Sequence, residues 1–272
     1  MLGPASTHGG GVVRTANPDP ISDMSRSSNP TRRRSGQKTA ARPGSWLTGF
    51  HSVREALRAR RRPLERLVLG TQGGRAGDRE LIDLARAAGI PIERIEAREF
   101  DLRIDGADQG QGVALRVGPL PELSLRQLLD QSGEADDAGT GTRLVLLDGV
   151  EDPQNVGALA RVAEGAGVRG LILSQRRAPP LSPAVSRASA GAIEWLPVAR
   201  VPNLGRAIRD LKQGGFWVVA AAPSTGGSLF GLADRILSGN LVVVLGAEGK
   251  GIRPSVLELA DHRAAIPMRG QI

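Results

Sequence analysis

One stretch of the chain, residues 144–173, most constrains what it can fold into. It opens with the apolar run Leu-Val-Leu-Leu, which is typical of a strand buried on both faces. Asp152-Pro153 then interrupts the backbone, because the proline ring fixes φ and biases the preceding residue away from helix. Asn155 is predicted to be the N-cap of a helix that ends near Gly165, and a second apolar run follows. This order predicts a βαβ unit, and open α/β sheets bind ligands at the loop after such a strand.

Residues 143–272 continue to alternate strands and helices, which predicts a parallel sheet covered on both faces. Further strands are predicted at 193–198, 216–221, 241–245 and near 264–266, and further helices at 183–189, 203–212 and 254–260. Residues 46–118 predict a smaller α/β domain, with strands at 64–69, 90–95 and 112–117 and helices near 53–57 and at 78–88. Residues 119–142 predict a linker with one short helix at 123–129.

The first 45 residues predict a disordered basic tail. They carry seven basic and two acidic side chains, so that +5 of the net charge of +8 lies there. A segment rich in Ser, Pro, Gly and Arg cannot bury enough apolar surface to fold. Three interpretations stay open for this tail: a solvated leader, an RNA-binding arm and, ranked last, an organelle transit peptide.

Composition excludes several kinds of chemistry. The chain has no cysteine, which excludes disulfides, thiolate metal sites and cysteine nucleophiles. Its three histidines, at positions 8, 51 and 262, are too scattered to predict a histidine metal site. No apolar run approaches the length of a membrane span, and no signal-peptide core is present. We therefore predict a soluble, cytoplasmic protein with no metal and no membrane partner.

Two further stretches are candidates for ligand contact. Residues 241–254 run from a buried strand into a glycine-rich loop and then a helix. Glycines let the backbone approach a ligand closely and leave N–H groups free to hold it. If Glu248 is buried in that loop it needs a partner, and an arginine is the natural one. By pattern alone, residues 264–272 are a terminal strand followed by a Pro/Gly turn.

In order and spacing, these three stretches resemble the signature motifs of the SpoU (TrmH) family of RNA ribose 2′-O-methyltransferases. The first motif has an aspartate, here Asp148 or Asp152, before N-x-G-x-x-x-R, here Asn155 to Arg161. The second, L-G-x-E-x-x-G, matches residues 245–251, and the third begins I-P-M-x-G at Ile266. Residues 186–192 also match the family's S-x-G-A segment. Residues 49–57 and 109–114 resemble the ribosomal-protein-like RNA-binding domain of the RlmB branch.

The resemblance implies a fold and a cofactor. It implies a small ribosomal-protein-like α/β RNA-binding domain followed by a SPOUT-type parallel-sheet domain tied in a trefoil knot. S-adenosylmethionine is then held by backbone groups of four residues, Leu245, Gly246, Ile266 and Met268. In the family the third motif continues into S-L-N-V-S and a last helix, whereas the printed sequence ends at Ile272. A catalytic domain truncated in that motif, with an incomplete knot, is therefore expected, as a fragment or as a degenerate member.

The resemblance also implies catalytic residues, namely Arg161, Asn155 and Glu248. Arg161 contacts the reacting ribose 2′-hydroxyl, and the other two order the site. Because a guanidinium hardly ever loses its proton in a protein, Arg161 is expected to stabilise the developing alkoxide rather than act as the base. Asn155 and Arg161 are six residues apart, so both can face one crevice only if Asn155 lies in the loop.

For the RlmB branch, the implied substrate is a guanosine of 23S rRNA, free or within a ribosomal precursor particle. A homodimer is expected as well, because family members place the cofactor site near the interface of two knots. Two other hypotheses stay open. One is a non-catalytic RNA-binding or ribosome-assembly protein derived from the family, and the other is a 2′-O-methyltransferase that acts on tRNA.

Overall fold

The computed structural model of the chain describes residues 44–71, 77–104, 111–132, 141–222 and 227–266. All of these residues belong to one compact unit that contains two β-sheets. Of the predicted tail, only residues 44 and 45 are among them, and residues 267–272, which include Met268, lie outside. No helix within these ranges is long and apolar enough to cross a membrane.

The front sheet contains four strands in the order β1-β4-β2-β3. Its elements are β1 (Ser45–Thr48), α1 (Phe50–Ala59), β2 (Leu64–Gly70), α2 (Asp78–Ala87), β3 (Ile92–Ile95), α3 (Ala97–Arg103) and β4 (Val113–Val117). β2 and β3 are parallel, whereas β4 is antiparallel to both β1 and β2. α1 and α2 bury Leu57 and Leu81 against one face, and α3 buries Phe100 against the other. The small α/β fold predicted from the sequence is confirmed.

In the described part of the chain, the rear sheet has seven parallel strands in the order β7-β6-β5-β10-β8-β11-β9. Its strands are β5 (Arg143–Asp148), β6 (Gly170–Ser174), β7 (Val198–Val201), β8 (Trp217–Ala221), β9 (Gly227–Ser228), β10 (Leu241–Gly246) and β11 (His262–Ala265). Its helices are α4 (Leu125–Ser132), α5 (Pro153–Gly165), α6 (Pro183–Ala188), α7 (Leu204–Gln213), α8 (Asp234–Ser238) and α9 (Pro254–Leu257).

Apolar side chains cover the rear sheet on both faces, as the continuous apolar runs predict. Leu144 and Leu146 of β5 pack with α4 and α7 on one face. Val145 and Leu147, which alternate with them, pack with α5 and α6 on the other face. A strand with both faces buried has no polar side to alternate with, which explains its unbroken run of aliphatic residues.

The order of the rear strands creates a topological switch point between β5 and β10. After β5 the chain crosses to β6 on one side, whereas after β10 it crosses to β11 on the other side. The loop after β5 and the loop after β10 therefore diverge and leave a crevice at the carboxyl ends of these paired strands. Open parallel sheets bind ligands in such crevices.

The helix after β5 begins earlier than the sequence pattern predicts. Asp152, not Asn155, is the N-cap of α5, and its Oδ1 accepts a hydrogen bond from the backbone N of Gln154 at 2.9 Å. Pro153 occupies the first turn, where its missing N–H and fixed φ suit a helix start. The N-cap prediction for Asn155 was wrong because this Asp-Pro pair caps the helix itself.

The predicted strand at 193–198 is also wrong. Residues Ala192–Glu194 form a 3₁₀ turn, and β7 begins only at Val198. Pro197 separates the two, and it has no N–H for a sheet hydrogen bond. Ile193 of the turn and Leu196, two residues after it, pack against α5 and α6, and their apolar spacing resembles that of a strand.

Two further differences concern shorter segments. The helix predicted at 254–260 ends at Leu257, since Asp261 already accepts a hydrogen bond from the backbone N of Val218. Within the predicted linker, Leu123 bridges to Ala199 and Leu128 of α4 is fully buried in the rear core. This part of the segment packs as a layer of the rear sheet. The proposed domain boundaries stay a prediction.

Candidate active site

Asp148, the last residue of β5, holds the β10 loop in place. Its side chain is almost fully buried. Its Oδ2 accepts from the backbone N of Arg253 at 2.9 Å, and its Oδ1 accepts from Nε of Arg253 at 2.7 Å. A buried carboxylate needs such partners. Asp148 therefore fixes the loop that follows β10 against the end of β5.

The glycines of the second motif close that loop on itself. Ala247 and Gly251 exchange two backbone hydrogen bonds, of 3.2 and 2.8 Å. Gly249 and Gly251 have φ of 74° and 64°, the left-handed region that suits glycine. A Cβ on Gly246 would overlap the backbone of Gly251. Loop closure thus accounts for glycine at these three positions.

Asn155 and Glu248 meet across the switch point. Nδ2 of Asn155, in the first turn of α5, donates to Oε2 of Glu248 at 3.3 Å. The loops at residues 148–155 and 247–253, together with Arg177, line a cleft that we call the switch-point cleft. Two of the three predicted catalytic residues are therefore neighbours, although 93 positions separate them in the chain.

Among the residues that the structure describes, no arginine pairs with Glu248. It is exposed, so the condition of burial on which an arginine partner was predicted is not met, and its hydrogen-bond partner within these ranges is the Asn155 amide. The arginine of this loop, Arg253, is bound to Asp148 instead. The sequence does not show which carboxylate of the site is buried, so it could not predict that Asp148 is the one that needs the arginine.

Arg161 does not line the switch-point cleft. Six helical residues correspond to a rotation of about 240°, so Arg161 lies on a different face of α5 from Asn155. The sequence allows both residues to face one crevice only if Asn155 lies in the loop. Asn155 lies in the helix, so this condition is not met. Arg161 is exposed, and in the described part of the chain no side chain forms an ion pair or hydrogen bond with it.

Three of the four predicted cofactor-binding residues lie at one edge of the rear sheet. Leu245 and Gly246 end β10, and Ile266 follows β11. β8 lies between these strands, and its ladder with β10 stops at the pair Ala220–Val244. Leu245 and Gly246 thus extend beyond the ladder with β8, while both still pair with Leu147 and Asp148 of β5. That their backbone groups hold the cofactor stays a prediction. The fourth residue, Met268, lies outside the described residues.

Sequence reasoning missed three basic residues of the cleft, Arg177, Lys250 and Arg253. Lys250 and Arg253 could have been found, since Lys250 lies in the second motif beside Glu248 and Arg253 follows that motif by two residues. Arg177 follows β6, and only the parallel pairing of β6 with β5 brings its loop to the same edge.

Two family models match this chain. Residues 142–272 match the SpoU rRNA Methylase family, and residues 46–123 match the RNA 2′-O ribose methyltransferase substrate-binding family. The 23S rRNA (guanosine-2′-O-)-methyltransferase RlmB of Pseudomonas putida is 32% identical, covering 83% of this chain and 88% of that protein. The putative TrmH family tRNA/rRNA methyltransferase YacO of Bacillus subtilis is 33% identical, covering 84% and 88%.

Solved structures agree on the fold. The AdoMet-bound rRNA methyltransferase of Sinorhizobium meliloti matches with a TM-score of 0.64 and 25% identity, over 84% of this chain and 80% of that chain. The SpoU methyltransferase AviRb of Streptomyces viridochromogenes, in complex with AdoMet, matches with a TM-score of 0.65 and 21% identity, over 84% and 83%.

The chain belongs to the SpoU family of S-adenosylmethionine-dependent RNA ribose 2′-O-methyltransferases. These comparisons confirm the family, the enzyme class and the cofactor that the three motifs predicted. They also confirm the succession of two α/β regions, each with its own sheet.

Proposed function

We propose that this protein transfers the methyl group of S-adenosylmethionine to the ribose 2′-hydroxyl of a guanosine in 23S rRNA. The observation that carries the proposal is the hydrogen bond between Asn155 and Glu248, which joins the first two motifs at the switch point. The choice of substrate is supported by relatives in Pseudomonas putida and Vibrio vulnificus, which are named for this reaction and are 32% and 33% identical to this chain.

The reaction needs alignment more than it needs strong acid–base chemistry. When bound, S-adenosylmethionine supplies an electrophilic methyl group on a sulfonium, and the ribose oxygen must approach in line with that carbon–sulfur bond. Backbone groups at Leu245, Gly246, Ile266 and Met268 would hold the cofactor. Asn155 and Glu248 would fix the position of the ribose. The hydroxyl proton would pass to water as the new oxygen–carbon bond forms. Arg161 does not line the cleft of its own chain, so its guanidinium would stabilise the charge that develops on oxygen in the site of a second chain packed on that face of α5.

A homodimer is part of this proposal. The outer face of α5 exposes Ala158, Arg161, Val162 and Gly165, which are spaced as one helical stripe. Val162 is 70% exposed and lies within this stripe. A partner subunit on this stripe would cover the valine and surround Arg161. Light scattering should give twice the mass of one chain, and a mass of one chain at all concentrations would contradict the dimer.

The function is tested with radiolabelled S-adenosylmethionine and three RNAs: 23S rRNA, 16S rRNA and total tRNA. The enzyme for this assay is expressed from the whole open reading frame, up to its stop codon. We expect label in 23S rRNA, at a guanosine whose ribose methylation is mapped by resistance of the adjacent phosphodiester to alkali. Label confined to tRNA would favour the alternative substrate, which the name of the Bacillus subtilis relative also allows. Salt-sensitive RNA binding without cofactor binding would favour the non-catalytic alternative.

The role of Arg161 is tested in the same assay. Arg161→Ala should lower kcat by about 10²–10³-fold, the usual effect of removing one group that stabilises an oxyanion. Arg126→Ala is the control, because Arg126 is an almost fully exposed arginine on α4. Full activity of Arg161→Ala would remove Arg161 from the reaction.

A further inference from the structure

A second cleft lies beside the switch-point cleft at the same edge of the rear sheet. Three segments form it, namely the loop after β6, the first turn of α7 and the start of α9. Four arginines line it, Arg176, Arg177, Arg209 and Arg253, and we call it the arginine cleft. No aspartate or glutamate is among the described residues that line it.

Three of these guanidinium groups are free to bind an anion. Arg176, Arg177 and Arg209 are exposed, and their side chains form no hydrogen bond or ion pair with any residue that the structure describes. Arg253 is partly engaged, since its Nε donates to Asp148. Arg206, one turn before Arg209 on the same helix, is different: it is 4.0 Å from Asp210 and does not line the cleft.

The loop that carries Arg176 and Arg177 is held rigidly. Arg200 of β7 donates to the backbone oxygens of Ser174, Ala178 and Pro179, and its Nε donates to Glu122 at 2.7 Å. The hydroxyl of Ser174 accepts from the backbone N of Arg177 at 3.0 Å. Binding an anion at a loop already fixed in this way costs little conformational entropy.

The arginine cleft is continuous with the switch-point cleft, because Arg177 and Arg253 line both. An extended polymer that has one residue beside Asn155 and Glu248 therefore reaches the arginine cleft without leaving the protein surface. A small metabolite bound in the arginine cleft would have no need of this continuity.

We propose that the arginine cleft binds a backbone phosphate of the substrate RNA, on a nucleotide that flanks the one to be methylated. This inference rests on the proposed function. Planar guanidinium groups bind phosphate oxygens through paired hydrogen bonds, and the positive end of the ten-residue helix α7 adds to the attraction. The described lining contains no aromatic side chain on which a base could stack. The cleft therefore positions the RNA strand and does not read its sequence.

The test is fluorescence anisotropy of a labelled RNA fragment that contains the methylation site, at a series of salt concentrations. The variant Arg176→Ala/Arg209→Ala should bind roughly tenfold more weakly, and its slope of log K against log salt should be smaller by about 0.7–0.9, or one phosphate contact. The loss should be the same for a fragment of scrambled sequence. Arg206→Ala is the matched control and should keep the wild-type slope.

Charge-conserving variants and competition with inorganic phosphate test the phosphate contact itself. Arg176→Lys/Arg209→Lys should restore most of the salt slope, since a phosphate contact survives as a point charge. Affinity for S-adenosylmethionine and the thermal midpoint should be unchanged in all variants. An unchanged slope in the alanine variant, or a loss of dimer mass without a change in RNA affinity, would overturn the proposal. If inorganic phosphate binds the cleft at millimolar concentration but the alanine variant keeps its RNA affinity, the cleft binds a small anion instead of RNA.

The outcome is separable from the fate of the proposed function. If the wild-type protein methylates tRNA, the 23S substrate is wrong, yet the alanine variant should still lose affinity for that tRNA. If the wild-type protein methylates 23S rRNA and the alanine variant binds it as before, only the phosphate site is wrong.

Discussion

Arg62 and Glu194 form a two-point ion pair between the front sheet region and the rear sheet. Nε of Arg62 is 2.9 Å from Oε2 of Glu194, and Nη2 is 2.5 Å from Oε1. Their side chains are only 2% and 1% exposed. Ser186 donates to the same carboxylate, and Arg62 also donates to the backbone oxygen of Gly118. The pair fixes the two sheets relative to each other because both charges have their partners only when the sheets are docked.

Removing one member of this pair should be costly. Arg62→Ala leaves the Glu194 carboxylate buried and unpaired, and we expect it to lower the free energy of unfolding by about 3–5 kcal/mol. Urea denaturation followed by circular dichroism measures it. Arg62→Met/Glu194→Leu is the control, and it should recover most of the loss because no charge remains buried. A cost below about 1 kcal/mol for Arg62→Ala would show that water reaches the carboxylate.

Gly157 allows two helices to touch. A Cβ at this position would overlap the side chain of Ala188 and lie 2.9 Å from the backbone N of Ser189. Gly157→Ala should therefore destabilise the protein by about 1–3 kcal/mol through overpacking between α5 and α6. Gly165→Ala lies on the same helix, and no atom of the described part of one chain comes within 4 Å of its new Cβ. Measured on the monomer, below the concentration at which the proposed dimer forms, it should be neutral or stabilising by up to about 1 kcal/mol. Equal effects of the two substitutions would contradict this packing argument.

Glu55 should make stability depend on acid pH. Burial raises the pKa of Glu55, but hydrogen bonds from Trp195 and Arg54 outweigh it and hold the pKa below its ordinary value. The unfolded carboxyl therefore binds a proton first, so Glu55 stabilises the fold above its ordinary pKa of about 4.3 and loses that effect as pH falls through the folded value. The free energy of unfolding should fall more steeply below about pH 4.3 for the wild type than for Glu55→Gln. Parallel curves would contradict the assignment.

Asn155 and Glu248 should act as a unit in catalysis. Asn155→Ala and Glu248→Ala should each lower kcat by about 10²-fold, and the double variant should be little worse, because either change removes the same contact. Glu248→Gln keeps an acceptor oxygen for the Asn155 amide and should retain more activity. Glu258→Ala, an exposed residue after α9, is the control. Strictly additive losses would mean that the two side chains act separately.

Apolar runs in the sequence predict most of the rear sheet, because strands buried on both faces are unbroken stretches of aliphatic residues, as at 144–147 and 241–245. The pattern predicts neither β1 nor α3. β1 is only four residues long, and α3 buries one side chain, Phe100, so neither shows a period. The turn at 192–194 was predicted as the start of a strand. The sequence does not show that Glu194 is buried by an ion pair whose partner is 132 positions away. Such long-range charge pairs leave no local signal.

Motif spacing brought Asn155 and Glu248 together correctly, but it could not orient Arg161. Orientation on a helix depends on where the helix begins, and Asp152-Pro153 sets that point three residues before Asn155. The arginine cleft gave no sequence signal at all. Its residues come from three crossover segments that only the strand order places side by side.

The position of β10 has a consequence for synthesis of the protein. All four described front strands have been synthesised once Val117 is made, whereas the centre of the rear sheet is filled only by residues 241–246. Until then β5 and β8, which flank β10, have no partner on their inner edges, and their aliphatic residues are open to other chains. Pairing of β5 with β10 is also a long loop closure, which slows folding. Nascent chains should therefore be most dependent on chaperones between completion of β5 and of β10, and an interrupted chain in that interval should aggregate with its front sheet already folded.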